Sequence, residues 1–351
     1  MIIDDLVKQK GAWLAMDRDT GVVISTRIRL ARNIRGARFP GWMDKEDTIK
    51  VCSRIKEAFA KVKVLHEQVY VDMGSVDAME KEVLKERHLI SYELAGKGIG
   101  SGLILAENEH TAIMINEEDH IRMQTISPGM ELESVWKKIN AIDTESEKYL
   151  DYEFSTGLGY LTSCPSNVGT GMRASVMLHL VGLKLTNDID KVIKGLNSLG
   201  LAVRGMLGEG TDAFGNMFQI SNQSTLGETE EEIIEKLVRM ISSVVAHELN
   251  ARDRLMEKNR MLVLDHIGRA NGILANARLL TSREAIDLLS ILRLGIYYGL
   301  VKNISVPLIN ETILLTQPGH LQKINGKILS SEERDELRSE VVRRKLKEES
   351  R

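Results

Sequence analysis

The sequence contains few cysteines, few aromatic residues and no long hydrophobic segment. Its two cysteines, Cys52 and Cys164, cannot build a disulfide framework, which favours a reducing cytoplasm. Aromatic residues make up only 4% of the chain, which disfavours a base-stacking surface for nucleic acid. Because no apolar run approaches ~18 residues and the acidic N-terminus lacks an apolar core, we predict neither a transmembrane helix nor a signal peptide.

The sequence also has no large excess of positive or negative charge. The 47 basic and 50 acidic residues give a net charge of -3, so the chain as a whole attracts neither nucleic acid nor an anionic membrane. Neither Gly-Lys pair is followed by Ser or Thr, which excludes a Walker A loop. The eight histidines show no metal-ligand spacing, and we predict no side-chain metal motif. Any anion site must therefore be built locally.

The 351 residues suggest about two domains, and two parts of the chain differ in pattern. Short alternating segments and glycines dominate up to Asn222, whereas helical periodicity begins after Gly227. Capping boxes at Thr229-Glu-Glu-Glu and Thr281-Ser-Arg-Glu mark two helix starts. The charged tail 330–351 is predicted to be a surface helix. We place the boundary between residues 1–225 and 226–351.

Three short segments in the first part carry polar residues on one strand face. In Ser25–Leu30, Ile28 and Leu30 would face the core while Arg27 and Arg29 face the other side. Two arginines so spaced suit a polyphosphate, although a solvated strand face is an equal alternative. Residues 103–115 predict a hairpin that turns at 106–110. If residues 116–123 are extended, Glu118, His120 and Arg122 share a face.

Two glycine-rich segments follow. The segment from Cys164 to Arg173 predicts a strand end leading into an apolar helix, whose start would bind an anion with help from Arg173. The segment 204–215, with Arg204 and Glu209, resembles a lid over a substrate. Taken singly, each feature has a plainer explanation: an inert thiol, an exposed acidic turn, a surface arginine. Together they favour a nucleoside triphosphate with Mg²⁺, and carboxylates free for a cationic acceptor.

These segments resemble the active-site blocks of the phosphagen (guanidino) kinases. The four blocks stand in the family's order and cover about residues 22–225. They read Ser-Thr-Arg-Ile-Arg-Leu-Ala-Arg-Asn (25–33), Asn-Glu-Glu-Asp-His-Ile-Arg (116–122), Cys-Pro-Ser-Asn-Val-Gly-Thr-Gly-Met-Arg (164–173) and Arg-Gly-Met-Leu-Gly-Glu (204–209). The resemblance implies an α+β catalytic domain with a central antiparallel sheet flanked by helices, followed here by an all-helical C-terminal domain.

The resemblance also implies a role for each matching residue. ATP would be bound by the strand and loop residues Ser25, Thr26, Arg27, Arg29, Arg122, Arg173 and Arg204. Glu118 and Glu209 would hold the acceptor guanidinium, with Glu118 as the base, and Cys164 would lie beside it. Met177 and Gly210 stand where creatine kinases and arginine kinases, respectively, carry histidine, so the adenine contacts and lid closure are open.

The layout of the whole chain resembles the bacterial protein-arginine kinases, which lack the N-terminal helical domain of phosphagen kinases. That resemblance implies a cytoplasmic, allosteric homodimer or higher oligomer that phosphorylates exposed arginines of proteins. It further implies an activator protein, a Clp ATPase/protease and a stress-gene repressor as partners, and phosphoarginine binding by Arg334, Asp335 and Arg338. A free-arginine phosphagen kinase and a non-catalytic adaptor with a vestigial kinase core are the alternatives.

Overall fold

An antiparallel eight-stranded sheet forms the centre of the molecule. The computed structural model describes residues 2–14, 21–205 and 213–348. Its strands are β1 (Val23–Arg32), β2 (Val69–Asp72), β3 (Gly102–Ala106), β4 (Thr111–Ile115), β5 (Ile121–Pro128), β6 (Phe154–Ser155), β7 (Gly159–Tyr160), β8 (Met172–His179), β9 (Leu201–Gly205) and β10 (Met217–Asn222). The sheet runs in the order β2-β3-β4-β5-β1-β8-β10-β9, and β6 and β7 form a separate hairpin.

Helices cover the sheet and then form the C-terminal part. They are α1 (Ile2–Leu6), α2 (Lys45–Phe59), α3 (Ala78–Glu86), α4 (Tyr92–Ala95), α5 (Leu132–Ser146), α6 (Val181–Leu185), α7 (Ile189–Ser198), α8 (Glu230–Lys258), α9 (Arg260–Asn276), α10 (Ser282–Tyr297), α11 (Val306–Leu315), α12 (Pro318–Asn325) and α13 (Ser331–Glu348). The prediction of an α+β fold with a central antiparallel sheet and a helical C-terminal region is confirmed. Among the described residues, no helix has both the length and the apolar character needed to cross a bilayer.

Strand β1 has the alternation that its sequence predicts. Ile28 and Leu30 are completely buried in the main core, where α2, α5 and α8 pack. Arg27 and Arg29 point to the opposite face and are only partly buried. The predicted β3–β4 hairpin is confirmed as well, with its turn at residues 107–110.

The predicted helix after Cys164 is wrong. Met172–His179 is strand β8, paired with β1 on one side and β10 on the other, and helix is confined to Val181–Leu185. The apolar run looked helical because a strand in the middle of a sheet is buried on much of both faces, which masks its period of two. Consequently Arg173 lies on a strand, and the expected anion site at a helix start does not exist there.

The extended reading of residues 116–123 is wrong at its beginning. Strand β5 starts at Ile121, and a tight turn precedes it, closed by Asn116 N to His120 O at 2.9 Å and Glu117 N to Asp119 O at 3.1 Å. Asn116 takes a φ of 55°, which asparagine tolerates better than most residues. Glu118 therefore lies in the turn, and His120 is buried rather than aligned with Arg122.

The helical region begins with the predicted cap. Thr229 accepts from Glu232 N while the Glu232 carboxylate accepts from Thr229 N, so the first capping box is confirmed. At the second, Thr281 Oγ1 accepts from Glu284 N at 3.2 Å. Helix α13 is highly charged, as predicted, but it is not simply a surface helix: Arg338, Ser339 and Val342 are buried in it.

Candidate active site

Strand register gathers the five predicted phosphate-binding arginines on one face of the sheet. Arg29 lies directly opposite Arg173 on β8, and Arg27 lies opposite Ser175. On β5, Arg122 is paired with Ala31, two positions along β1 from Arg29. Directly paired residues of antiparallel strands project to the same side. The sheet itself therefore aims these side chains into a common space.

The fifth arginine joins them through β10. Arg204 is paired with Gln219, which is paired in turn with Met177 on β8, on the same face as Arg173. Arg173 Nε lies 3.4 Å from Ser221 Oγ. Burial, followed by the charges of Arg204 and Arg122, lowers the pKa of Arg173. Mutual repulsion of this kind requires the guanidinium groups to lie near one another.

Arg27 and Arg29, two members of the cluster, have no carboxylate partner among the described residues. Burial, then Arg122 and Arg173, lowers the pKa of Arg27 to about 10, and its guanidinium donates to the neutral Gln219 Oε1 at 2.8 Å. Burial and then Arg27, Arg122 and Arg173 also lower the pKa of Arg29, while Glu117 opposes them. Its Nε is buried without a hydrogen-bond partner among the described residues. Since buried guanidinium groups are normally paired, this arrangement fits a polyanion such as a triphosphate.

Glu117 holds the edge of the cluster. It is completely buried, and its carboxylate accepts two hydrogen bonds from Arg122 at 2.7 and 2.9 Å. Burial alone would raise the pKa of Glu117, but Arg122 and hydrogen bonds hold it below its usual value. The sequence alone did not indicate this residue. Nothing in the run Glu117-Glu118-Asp119 shows which carboxylate pairs with an arginine and which stays available.

Glu118 is the available carboxylate of the turn and is partly exposed. Burial and then Asp119 raise its pKa, with smaller contributions in the same direction from Glu117 and Glu93, while Arg122 opposes them. A carboxylate with a raised pKa is a better proton acceptor than an ordinary surface glutamate. Glu118 is therefore suited to act as a base at the edge of the arginine cluster.

Asp119 connects this turn to the Cys164 loop. Its Oδ1 accepts from Ser163 N at 2.6 Å and from Asn33 Nδ2 at 2.7 Å. Cys164 precedes a three-residue 3₁₀ turn rather than the predicted α-helix, and its Sγ lies 3.0 Å from Ser166 Oγ. Cys164 opposes the lowering of the pKa of Arg173, so the two side chains lie near each other. Glu118, Cys164 and the arginine cluster thus lie at one end of the sheet.

Two family models match the chain in agreement with this geometry. Residues 50–251 match "ATP:guanido phosphotransferase, C-terminal catalytic domain", and residues 260–351 match "Protein-arginine kinase McsB C-terminal domain". A protein-arginine kinase of Geobacillus sp. is 45% identical over 97% of this chain and 95% of its own length. The protein-arginine kinase of Bacillus subtilis is 42% identical over 97% of this chain and 92% of its own.

The chain belongs to the protein-arginine kinase family. It is accordingly a kinase and uses ATP. Solved phosphagen kinases share the fold: a lombricine kinase is 27% identical with a TM-score of 0.58 and 70% of each chain covered. A duplicated taurocyamine kinase from Schistosoma mansoni is 25% identical with a TM-score of 0.61; the match covers 70% of this chain and 35% of that one.

Not every predicted ATP-binding residue of this protein-arginine kinase lies on the arginine face. Ser25 shares that face with Arg27 by alternation. Thr26 points to the other side, where its hydroxyl donates to Gly129 O at 2.7 Å and accepts from Glu131 N at 3.1 Å. The structure therefore does not bring Thr26 to the arginines. Glu209 and Gly210 lie outside the described residues.

The predicted phosphoarginine-binding residues lie on α13. Arg338 is only 2% exposed; its guanidinium donates to Thr316 O, Leu280 O and Asp335 Oδ1 at 2.9, 2.8 and 2.5 Å. Arg334 is partly buried, and its guanidinium contact with Leu329 O is long, at 3.4 Å. Arg338 is thus a structural group of the helical part, while Arg334 keeps most of its donors for other partners.

His88 was missed by the sequence analysis. Burial, then Arg27 and Arg29, lowers its pKa to about 3, so the ring lies near the arginine cluster in its neutral form. Its carbonyl accepts from Gln124 Nε2, and its ring centroid lies 5.1 Å from that of Trp13. It takes a φ of 59° just after α3. No local pattern in the sequence indicated this long-range placement.

Proposed function

We propose that the protein transfers the γ-phosphoryl group of ATP to the guanidinium of arginine side chains in proteins. One observation carries the proposal: a cluster of guanidinium groups short of anions lies beside a carboxylate whose pKa is raised. The cluster matches a triphosphate, and the carboxylate matches a cationic acceptor. Support for a polypeptide acceptor comes from the relatives, which carry the name protein-arginine kinase.

In the proposed reaction, a guanidinium nitrogen of the acceptor attacks the γ-phosphorus. An N–P bond forms, the P–O bond to the β-phosphate breaks, and ADP leaves with that electron pair. The nitrogen gives a proton to Glu118, whose raised pKa lowers the cost of accepting it. Since a free guanidinium has a pKa above ~12, orientation and proton removal are the main problems that this site solves.

The arginine face would bind the phosphates and stabilise the charge that spreads over the transferred group. Arg27 and Arg29 lie at the centre of that face, and Arg29 Nε has no hydrogen-bond partner among the described residues. Mg²⁺ would accompany the phosphates and neutralise part of their charge. The described residues contain no group of three His, Cys, Asp or Glu side chains able to hold a metal ion, so we assign the ion to the nucleotide.

Two further residues complete the proposed acceptor site. Glu209, which lies outside the described residues, would hold the guanidinium together with Glu118, because a planar cation can be bound by two carboxylates. Cys164 would orient the acceptor electrostatically without forming a covalent bond. Its loop is tied to the Glu118 turn through Ser163 and Asp119, which supports this role.

The remaining proposals concern organisation and regulation. We assign residues 1–225 to catalysis and 226–351 to dimerisation, substrate docking and phosphoarginine sensing by Arg334 and Asp335, with Arg338 holding the pocket. The family resemblance supports a cytoplasmic homodimer or higher oligomer, an activator protein, delivery of marked proteins to a Clp protease, and control of a stress-gene repressor.

Mass spectrometry for acid-labile phosphoarginine tests the reaction. Wild-type protein with ATP and Mg²⁺ should phosphorylate an arginine-rich protein in preference to free L-arginine. Glu118→Gln should lower kcat by about 10²–10⁴-fold while ATP still binds. Efficient turnover of free arginine would favour a phosphagen kinase instead. Near-normal turnover by Glu118→Gln would remove this residue from the mechanism.

A further inference from the structure

The turn that carries Glu118 is held by contacts with three parts of the chain: residues 38–48, Ser91 and Gly100. Asn116 Nδ2 donates to Thr48 O at 2.9 Å and to Gly100 O at 2.8 Å. The buried carboxylate of Glu117 is hydrogen-bonded to the Ser91 side chain. At the other end of the turn, His120 Nε2 lies 2.8 Å from Arg38 O. These contacts place all three segments around the proposed acceptor site.

Each of these segments exposes a large apolar side chain beside its contact with the turn. Ile99, next to Gly100, is 62% exposed, and Tyr92, next to Ser91, is 69% exposed. Trp42 is 81% exposed; it lies in the turn that follows Phe39, whose ring is 6.4 Å from that of His120. We call Trp42, Tyr92 and Ile99 the acceptor rim.

Single exposed apolar residues are common and need no explanation, but here three of them each lie within a few residues of a contact with the Glu118 turn. The turn that these segments contact is acidic: Asp119, Glu117 and Glu93 each contribute to the raised pKa of Glu118. The surface therefore combines an acidic centre with an apolar periphery. Such a surface is complementary to a cationic side chain flanked by apolar ones.

We propose that the acceptor rim binds the polypeptide on either side of the acceptor arginine and favours substrates with apolar residues there. This inference rests on the proposed function, because it assigns the rim to a protein substrate. In an extended peptide, alternate side chains point the same way, so residues two positions before and after the arginine would face the enzyme with it. Burying such side chains against Trp42, Tyr92 or Ile99 would hold the guanidinium at Glu118.

Two peptides and a matched set of variants test the rim. The peptides share one central arginine and differ only at the positions two before and two after it, with leucine in one and glycine in the other. We expect wild-type kcat/KM to favour the leucine peptide about tenfold, which corresponds to about 1.4 kcal/mol. Trp42→Ser and Ile99→Ser should reduce that ratio towards one.

Leu199→Ser is the control. Leu199 is 51% exposed and lies between α7 and β9, at the edge of the sheet furthest from β2 and β3. This variant loses a similar exposed apolar side chain, and it should keep the full preference. Because all three substitutions are at exposed positions, thermal unfolding should confirm that each protein is folded.

The outcomes separate the two proposals. If wild type phosphorylates both peptides equally well, or if Trp42→Ser and Ile99→Ser keep the full preference, the rim has no role in selection, while the proposed function stands. If wild type forms phosphoarginine on neither peptide and on no arginine-rich protein, the proposed function itself fails. A lost preference in Leu199→Ser would also overturn the assignment to these three residues.

Discussion

Arginines lie in two environments in this protein: some are fully buried in ion pairs, and others form the partly buried cluster on the sheet face. Comparing the two groups separates structural arginines from those proposed to bind substrate. Arg32, Arg87, Arg252 and Arg338 are each at most 2% exposed, and each pairs with a carboxylate. On the sheet face, by contrast, neither Arg27 nor Arg29 forms an ion pair within the described part of the chain, and the pKa of each is lowered. Paired arginines join elements of the fold, whereas Arg27 and Arg29 carry the charge that we propose binds the triphosphate.

Arg32 shows what the paired setting achieves. Its guanidinium contacts Asp143 of α5 at 2.6 Å, donates to Thr170 O at 2.9 Å and lies 3.5 Å from the centre of the Tyr160 ring. One side chain thus joins β1, α5 and the end of the Cys164 loop. Although burial alone would lower the pKa of Arg32, Asp143 raises it above its usual value. Arg32 has a carboxylate partner, whereas Arg29, three positions earlier, has none among the described residues.

The largest loss of stability is expected when one partner of such an ion pair is removed. Arg32→Met leaves the Asp143 carboxylate buried without its partner and should lower the free energy of unfolding by about 3–5 kcal/mol. Urea denaturation followed by circular dichroism measures this change. The double variant Arg32→Met/Asp143→Leu should recover part of the loss, because it removes the stranded charge. Full stability in the single variant would contradict the structural role.

The opposite change of stability is expected at Arg29. Arg29→Met removes an unpaired charge that its neighbours repel, so the melting temperature without nucleotide should rise, by about 2–4 °C for each kcal/mol gained. The same variant should bind ATP about 10–150-fold more weakly, the cost of one charge-assisted contact. Calorimetric titration and thermal unfolding measure both effects. If Arg29→Met were less stable than wild type and bound ATP normally, Arg29 would be a structural residue like Arg32.

Two arginines of α13, Arg338 and Arg334, should contribute differently to stability. Arg338→Ala should cost about 1–3 kcal/mol of stability, because it leaves Thr316 O and Leu280 O buried without their donor. Arg334→Ala should change stability by less than about 0.5 kcal/mol, since its contact is long and its side chain partly exposed. Denaturant titration of both variants gives the difference. Equal losses would mean that Arg334 is structural too, and phosphoarginine sensing would need another residue.

The pH dependence of kcat/KM should shift slightly when Glu93, a neighbour of Glu118, loses its charge. Glu93 raises the pKa of Glu118, so Glu93→Gln should lower that pKa. The Glu118 carboxylate would then stay ionised at lower pH, and the acid limb of kcat/KM should move to lower pH. Glu133→Gln, at an exposed position on α5, serves as the control and should leave the profile in place. A shift towards higher pH would contradict the electrostatic origin of the raised pKa.

The sequence predicted the regular elements that local rules specify. The alternation in β1, the β3–β4 hairpin and the Thr229 cap are confirmed, because each depends on side chains only a few residues apart. Met172–His179 was predicted to be helical and is a strand, because an apolar run of this length suits either state. Pairing with β1 and β10 decided the outcome, and both strands are distant in the chain.

The candidate site, too, was predictable from the sequence only in part. The types of residue that it needs were recognisable from four short blocks, but the choice among neighbouring carboxylates was not. Glu117 is bound to Arg122 and Glu118 is available, a difference that arises only when the turn folds against Ser91 and β5. His88 reached the cluster without any motif of its own. The roles of Glu118, Glu209, Cys164 and the phosphate-binding arginines stay predictions.

By itself, the sequence determined the chemistry: arginines two apart on a strand, acids in a turn and a helical C-terminal region follow from local spacing and charge. Only the tertiary structure decided which charges are neutralised. Asp143 reaches Arg32 from 111 positions away, while Arg29 finds no such partner among the described residues. The reason is physical: the pairing of a buried charge depends on its neighbours in space, and strand register and helix packing select those neighbours.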